Sequence, residues 1–200
     1  MKKINLLLIF FLVSACTNST KVVFLGDSIT AAAIYDKEVA EPWGDTFIYP
    51  KATGFITLLK ENVGDNVKLI GKGVSGDKVS DLLTRYKDDV IKLNPDIVIH
   101  TAALTNVDLC ETNNVLANLI NVQGTKNIVD GCMKIQSKII FISTSYVFDG
   151  NSDQYFEEDL PNPTSYYGIT KYESEKIIQN SNLDFLILRT DQPYCWIEKW

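Results

Sequence analysis

The stretch KLNPDIVIHTAALTN, residues 92–106, reads as a helix end, a turn at Asn94-Pro95 and then a buried strand. Proline disfavours helical backbone in the residue before it, so the helix has to stop, and the apolar run Ile97-Val98-Ile99 suits a strand with little access to water. Working outward, similar Val- and Ile-rich runs occur as KVVFLG at 21–26, VKLIG at 67–71, KIIFIS at 138–143 and LDFLILR at 183–189. With DIVIHTA at 96–102 they make five expected strands.

Between the strands lie GFITLLKEN, DKVSDLLTRYKDDVIKL, NVLANLINVQGTKNIVDGCMKI and SYYGITKYESEKIIQN, each with apolar residues three and four apart. These are expected helices. Strands alternating with helices predict a three-layer α/β domain whose parallel sheet is covered on both faces. In such a sheet, ligands bind at the carboxyl ends of the strands, so the residues just after each strand are the ones to read for chemistry. The segment 31–53, with two prolines and Trp43, reads as an elaborated loop over those ends.

The chain has 200 residues, 46% hydrophobic and 22% charged, which suffices for one sizeable core. Its formal net charge of -6, without a basic stripe, excludes a phosphate-backbone partner such as nucleic acid. The opening MKKINLLLIFFLVSAC places two lysines before an apolar run too short to span a bilayer, the pattern of a signal peptide over residues 1–15. Its end, LVSAC, resembles a bacterial lipobox. That resemblance implies cleavage before Cys16, a lipid on that cysteine, a short tether over 16–20 and membrane anchoring of an exported protein; an unused signal would leave it in the cytoplasm. Cys110, Cys132 and Cys195 have no CxxC spacing for zinc or redox chemistry and read as small buried hydrophobes, with their disulfide status open. No metal site is expected.

After the first strand comes LGDSIT, with Asp27 and Ser28 at the strand-to-helix turn. Together with GKGVSGDKVSDLL, this resembles the first two blocks of the SGNH (GDSL) hydrolases over residues 21–94. The resemblance implies Ser28 as an ester-cleaving nucleophile and the backbone N–H of Gly76 as an oxyanion donor, glycine allowing close approach. The third block, GxND, and the closing DxxH are absent, and the chain's one histidine, His100, lies in a strand pattern as a core or strand-end residue. Without a base, Ser28 keeps a weakly nucleophilic hydroxyl.

The second block also spells G-x-G-x-x-G at Gly71, Gly73 and Gly76, between a strand and a helix. The acidic residue about 20 positions on, which a dinucleotide fingerprint needs, would be Asp96. It opens the next strand instead of closing it, so it should face away from a ribose bound at the carboxyl ends.

From Pro95 onward, HTAALTNVD, NVQGTKNI, ISTSYVFDG, NPTSYYGITK and FLILRT resemble the extended short-chain dehydrogenase/reductases, in particular the dTDP-4-dehydrorhamnose reductase group. The resemblance implies hydride transfer between NADP or NAD and a carbonyl, with a sugar nucleotide as substrate. Tyr167 and Lys171 form Y-x-x-x-K on one helix face, where a nearby ammonium lowers a tyrosine pKa. Thr144 is implied to hold the substrate carbonyl and Lys171 the nicotinamide ribose. Ala102 and Ala103 are implied to lie against the cofactor, and Asn121 to order the helix beside the nicotinamide.

Tyr172 and Lys176 repeat the same spacing, but Tyr167 follows the helix-start signal Pro163-Thr164-Ser165, whereas Tyr172 reads as surface or packing. Ser145 departs from the group's STDYVF. The group's GxxGxxG pyrophosphate loop is replaced by KVVFLGDSITAAA, and its pattern continues beyond RTDQPYCWIEKW, where this chain stops at Trp200.

The expected architecture is therefore a single Rossmann-like or flavodoxin-like domain over 21–200, with strand order 2-1-3-4-5. Its halves, 21–94 and 95–200, meet at the third strand, which has the same place in both families. The expected function is an incomplete NAD(P)-dependent sugar-nucleotide reductase with little or no turnover, its cofactor binding weakened. An esterase using Ser28 and a non-catalytic chimera are the alternatives.

Overall fold

The computed structural model describes residues 19–26, 59, 63–73 and 86–191. Cys16, Ser28, Gly76 and Cys195, and with them the signal peptide, the lipidation site and the hydrolase readings, lie outside the described residues. Five strands form one sheet: β1 Thr20–Gly26, β2 Val67–Gly73, β3 Ile97–His100, β4 Lys138–Thr144 and β5 Phe185–Thr190. All neighbours pair in parallel, in the order β2-β1-β3-β4-β5. The expected architecture and order are both observed.

Side chains alternate across the sheet, and this alternation divides the core. Val22 and Phe24 of β1 join Ile97 and Ile99 of β3 on one face, packed with Leu59. Leu25, Val98, Ile139 and Phe141 join a second cluster on the other face. Each large apolar side chain fully buried this way contributes about 1.5–3 kcal/mol. The helices are α1 Val107–Thr112, α2 Asn114–Ala117, α3 Gly124–Ile135 and α4 Tyr166–Gln179; α3 and α4 contribute Ile128, Val129, Cys132 and Ile178 to that second cluster, while α1 and α2 pack against α4.

The stretch from Asn94 to Asp96 is pinned to β1 at the amino end of the sheet. Asn94 adopts φ 45°, a left-handed turn that asparagine tolerates. The backbone N–H of Lys21 donates to Asp96 Oδ2 at 2.6 Å, Asp96 N–H donates to Lys21 O at 2.8 Å, and Lys21 Nζ donates to Leu93 O at 2.6 Å. Ser137 Oγ donates to Pro95 O, fixing the start of β4 to the same turn. Asp96 thus sits at the opposite end of the sheet from any ribose, as its place before the strand implies. Gly71 and Gly73 lie within β2, opposite Phe24 and Gly26, so G-x-G-x-x-G does not follow β1 as a dinucleotide loop does.

The region expected to form one helix over 114–135 is interrupted. A π-helical turn, Asn118–Gln123, separates α2 from α3. The hydroxyls of Thr125 and Ser174 both donate to Asn121 O, at 2.6 and 2.8 Å, and occupy the carbonyl that a regular helix would use. α1 was not foreseen from apolar periodicity; its signal is Asn106, whose side chain caps it by accepting from Leu109 N at 2.9 Å.

Helix α4 begins where the sequence implies. Ser165 Oγ accepts from Gly168 N at 3.1 Å, satisfying one of the free donors of the first turn. Gly168 is fixed by packing: a Cβ there would collide with the Tyr146 carbonyl oxygen and lie 3.0 Å from both the Tyr146 carbonyl carbon and Pro163 Cβ. Gly168→Ala should destabilise the protein by about 1–3 kcal/mol, read from the urea midpoint at unchanged slope, because overpacked sites shift backbone to relieve contact. An unchanged midpoint would show that the Tyr146 turn can move freely. Among the described residues, no helix is long and apolar enough to cross a membrane.

Candidate active site

The carboxyl ends of β3 and β4 and the first two turns of α4 meet on the face covered by α3 and α4, with α1 and α2 packed against α4. Thr144 ends β4 and is buried. Its hydroxyl accepts from Tyr146 N at 3.2 Å, capping the short 3-10 turn Ser145–Val147, and it lies near enough to the Tyr167 side chain to influence its ionisation. Tyr167 lies in the first turn of α4, 9% exposed, packed with Cys110 and Ala117 and edge-on to Tyr146 with ring centroids 5.7 Å apart.

Lys171 follows one turn later and is 3% exposed. Its ammonium donates to Ile142 O at 2.7 Å and sits 3.9 Å above the centre of the Phe141 ring. The helical spacing therefore brings Thr144, Tyr167 and Lys171 to one face, as the sequence implies. The electrostatics differ from the expectation. Burial raises the Tyr167 pKa, the Thr144 hydrogen bond opposing it, so the phenol holds its proton. Burial pulls Lys171 down to about 7, with Glu175 acting the other way. The expected lowering of the tyrosine by the ammonium is thus corrected: desolvation of the phenolate wins, and the amine is bonded to β4 instead.

The rival pair resolves in the same geometry. Tyr172 is half-buried and Lys176 exposed, with the ammonium 4.8 Å above the tyrosine ring, a surface contact away from β4. Burial selects Tyr167 and Lys171, which spacing could not.

Asn121 is 2% exposed and occupies the π-helical turn rather than a helix surface. Its Oδ1 accepts from Leu104 N at 2.7 Å, while its amide donates to Leu104 O at 3.2 Å and to Thr170 Oγ1 at 2.9 Å. It ties the segment after β3 to α4. Ala102 and Ala103, half-buried in that segment, offer only methyl groups at the strand's carboxyl end. Ser145 is also half-buried.

Two features escaped the sequence reading. Glu175, fully buried, accepts from Ser143 Oγ at 2.5 Å and receives a two-pronged hydrogen bond from Arg189, Nε at 3.0 Å and the terminal nitrogen at 2.7 Å. Its signal was available: residues 167, 171 and 175 recur every four positions and so share one helix face. Glu111, for its part, accepts from Tyr166 N at 2.5 Å, holding the start of α4 against α1. Cys110 and Cys132 are buried free thiols, the latter pushed up to about 12 by burial, in keeping with their reading as small hydrophobes.

His100, the last residue of β3, is 3% exposed and its pKa is lowered to about 3 from 6.5, by burial first and the Lys171 charge second. An unfolded chain takes up this proton near pH 6.5 and the folded protein only near 3, so stability falls as pH drops through that window. The slope should approach about 1.4 kcal/mol per pH unit from this group. Urea melts between pH 7 and 5 should show the slope, and His100→Asn should flatten it; equal slopes would mean the ring charges in the folded state.

The parallel sheet, its order and the packed helices define a Rossmann-like α/β protein. The chain aligns with the crystal structure of a dTDP-4-dehydrorhamnose reductase from Clostridium acetobutylicum at TM-score 0.61 and 28% identity, covering 87% of this chain and 54% of that one. The profile of the RmlD substrate binding domain matches residues 59–196, and the chain belongs to that family.

Among curated relatives, methionine adenosyltransferase 2 subunit beta of Bos taurus is 36% identical over 110 residues, 55% of this chain and 33% of the relative. The dTDP-4-dehydrorhamnose reductase of Aggregatibacter actinomycetemcomitans is 34% identical over 116 residues, 56% of this chain and 40% of that enzyme. The matched part of this chain thus spans between a third and two fifths of those two relatives.

Proposed function

We propose that residues 95–191 form the catalytic face of an NAD(P)-dependent reductase of the dTDP-4-dehydrorhamnose reductase type, acting on a sugar-nucleotide ketone with low turnover. The observation that carries this reading is the buried meeting of Thr144, at the end of β4, with Tyr167 and Lys171, one helical turn apart on α4.

In the direction of reduction, the nicotinamide supplies a hydride to the carbonyl carbon when bound. Tyr167, held protonated by burial, gives its proton to the carbonyl oxygen, and the Thr144 hydroxyl holds that oxygen in line. Lys171 stabilises the tyrosinate that forms; its ammonium must turn from Ile142 O to do so. Lys171, Ala102, Ala103 and Asn121 are the residues proposed to hold the nicotinamide end. The half-buried alanines suit a flat ring because their side chains are no larger than a methyl group.

The pyrophosphate end is weak. A diphosphate is normally held by N–H groups of a glycine-rich turn at a helix N-terminus, and the turn after β1 reads GDSITAAA instead. Isothermal titration with NADPH is expected to give no micromolar binding. Saturation-transfer NMR at millimolar NADPH should still show contact to the nicotinamide ring, lost in Lys171→Ala. Micromolar binding would overturn the weak-affinity reading. Absence of any Lys171-dependent transfer would overturn the site.

A further inference from the structure

His100 is the chain's single histidine, and its surroundings fix where its protons lie. The ring pairs in register with Phe141 of β4 and packs against it, centroids 5.3 Å apart. Its Nε2 is 3.1 Å from Thr125 Oγ1. A threonine hydroxyl has one proton, and that of Thr125 goes to Asn121 O at 2.6 Å. Thr125 therefore offers His100 only a lone pair. With the Thr125 proton so placed, Nε2 carries the hydrogen and Nδ1 is left as a bare acceptor. That atom is buried without a hydrogen-bond partner, a condition that costs about 1–3 kcal/mol if nothing fills it.

A donor stands over the same aromatic ring. The Lys171 ammonium, 3.9 Å above Phe141, carries three protons, and Ile142 O, on the residue after Phe141, takes one. His100 feels the Lys171 charge directly. The other charges near the lysine are already committed: Glu175 is held by Arg189 and Ser143. Tyr167 is held uncharged by burial.

We infer that His100 is a positioning residue for Lys171, its Nδ1 lone pair accepting an ammonium hydrogen bond through one bound water, or directly once the ammonium leaves Ile142 O. The pairing completes a chain from Asn121 O through Thr125 and the imidazole to the lysine, linking the π-helical turn to α4. It gives the ammonium a second anchor when it leaves Ile142 O. The pairing rests on the unpartnered Nδ1 and on the ammonium and imidazole sharing the Phe141 ring; its use in catalysis rests on the reductase reading above.

Both parts are testable without cofactor or turnover. Long-range 15N–1H correlation spectra of the wild-type protein, unambiguous because there is one histidine, should show the Nε2–H tautomer at neutral pH. In protein carrying 15N- and 13C-labelled lysine, with Lys171→Ala giving the assignment, the Lys171 titration midpoint should fall by about one pH unit in His100→Phe, a tenfold loss of proton affinity. His100→Asn, which keeps an acceptor oxygen, should restore most of it. An Nδ1–H tautomer, an unmoved midpoint in His100→Phe, or equal shifts in both variants would each overturn the inference. Should His100→Phe fail to fold, the tautomer in the wild-type protein and the His100→Asn titration still decide. A confirmed pairing alongside NADPH contact indifferent to Lys171 would sink the reductase reading and leave this one standing.

Discussion

Glu175→Ala should cost about 3–5 kcal/mol of folding stability, the usual loss when one partner of a buried ion pair is removed. Glu175 is fully buried and bonds both Ser143 on β4 and Arg189 on β5, so it joins the inner turn of α4 to two strands. The truncation leaves the Arg189 guanidinium, whose side chain is 22% exposed, facing a cavity without a counterion. The Arg189 head also lies 5.0 Å from the Phe148 ring, so the loop after β4 should loosen as well. Chemical denaturation measures the loss directly. A paired Glu175→Leu and Arg189→Leu variant should recover most of it, since apolar replacement of both partners removes the orphaned charge. A single-variant loss under about 1 kcal/mol would mean that water reaches the pair.

Lys171→Met should act in the opposite direction, stabilising the protein by about 1–4 kcal/mol at neutral pH, because a charge desolvated in the core is exchanged for an apolar chain of similar length. The lysine's descent to about 7 from 10.5 expresses that desolvation cost. The lost hydrogen bond to Ile142 O offsets about 1 kcal/mol of the gain. The sign of the pH dependence follows. Between about 7 and 10.5 the unfolded chain holds a proton that the folded protein has released, so wild-type stability rises across that window. The advantage of methionine should therefore be full below pH 7 and shrink as pH rises towards 10.5. The same variant should lose the NADPH contact. A residue that costs stability and is needed for ligand contact is the mark of a functional site, whereas destabilisation by methionine would make Lys171 a structural residue.

Much of the fold was legible because parallel sheets impose a simple pattern. Ile97-Val98-Ile99 had to be a strand buried on both faces, and Pro95 had to end the helix before it. The proposed trio of Thr144, Tyr167 and Lys171 was legible only as a motif. Two Y-x-x-x-K pairs fit the spacing equally, and the helix-start signal at Ser165 favoured the pair that burial then selected. Asn121 was legible as a residue and not as a staple: its role depends on Leu104 and Thr170, 17 and 49 positions away. Glu175 was passed over because a glutamate on a helix is usually solvated, and its Arg189 partner is identifiable only once β5 lies beside β4.

The sequence by itself determined the alternation of strands and helices, the strand order and the positions of Thr144, Tyr167 and Lys171, because apolar periodicity and local capping depend on neighbours in the chain. Only the tertiary structure decided the ionisation of those groups. Burial is a property of the whole packed molecule, and here it holds the tyrosine protonated, brings the lysine down to about 7 and leaves Nδ1 of His100 without a hydrogen-bond partner.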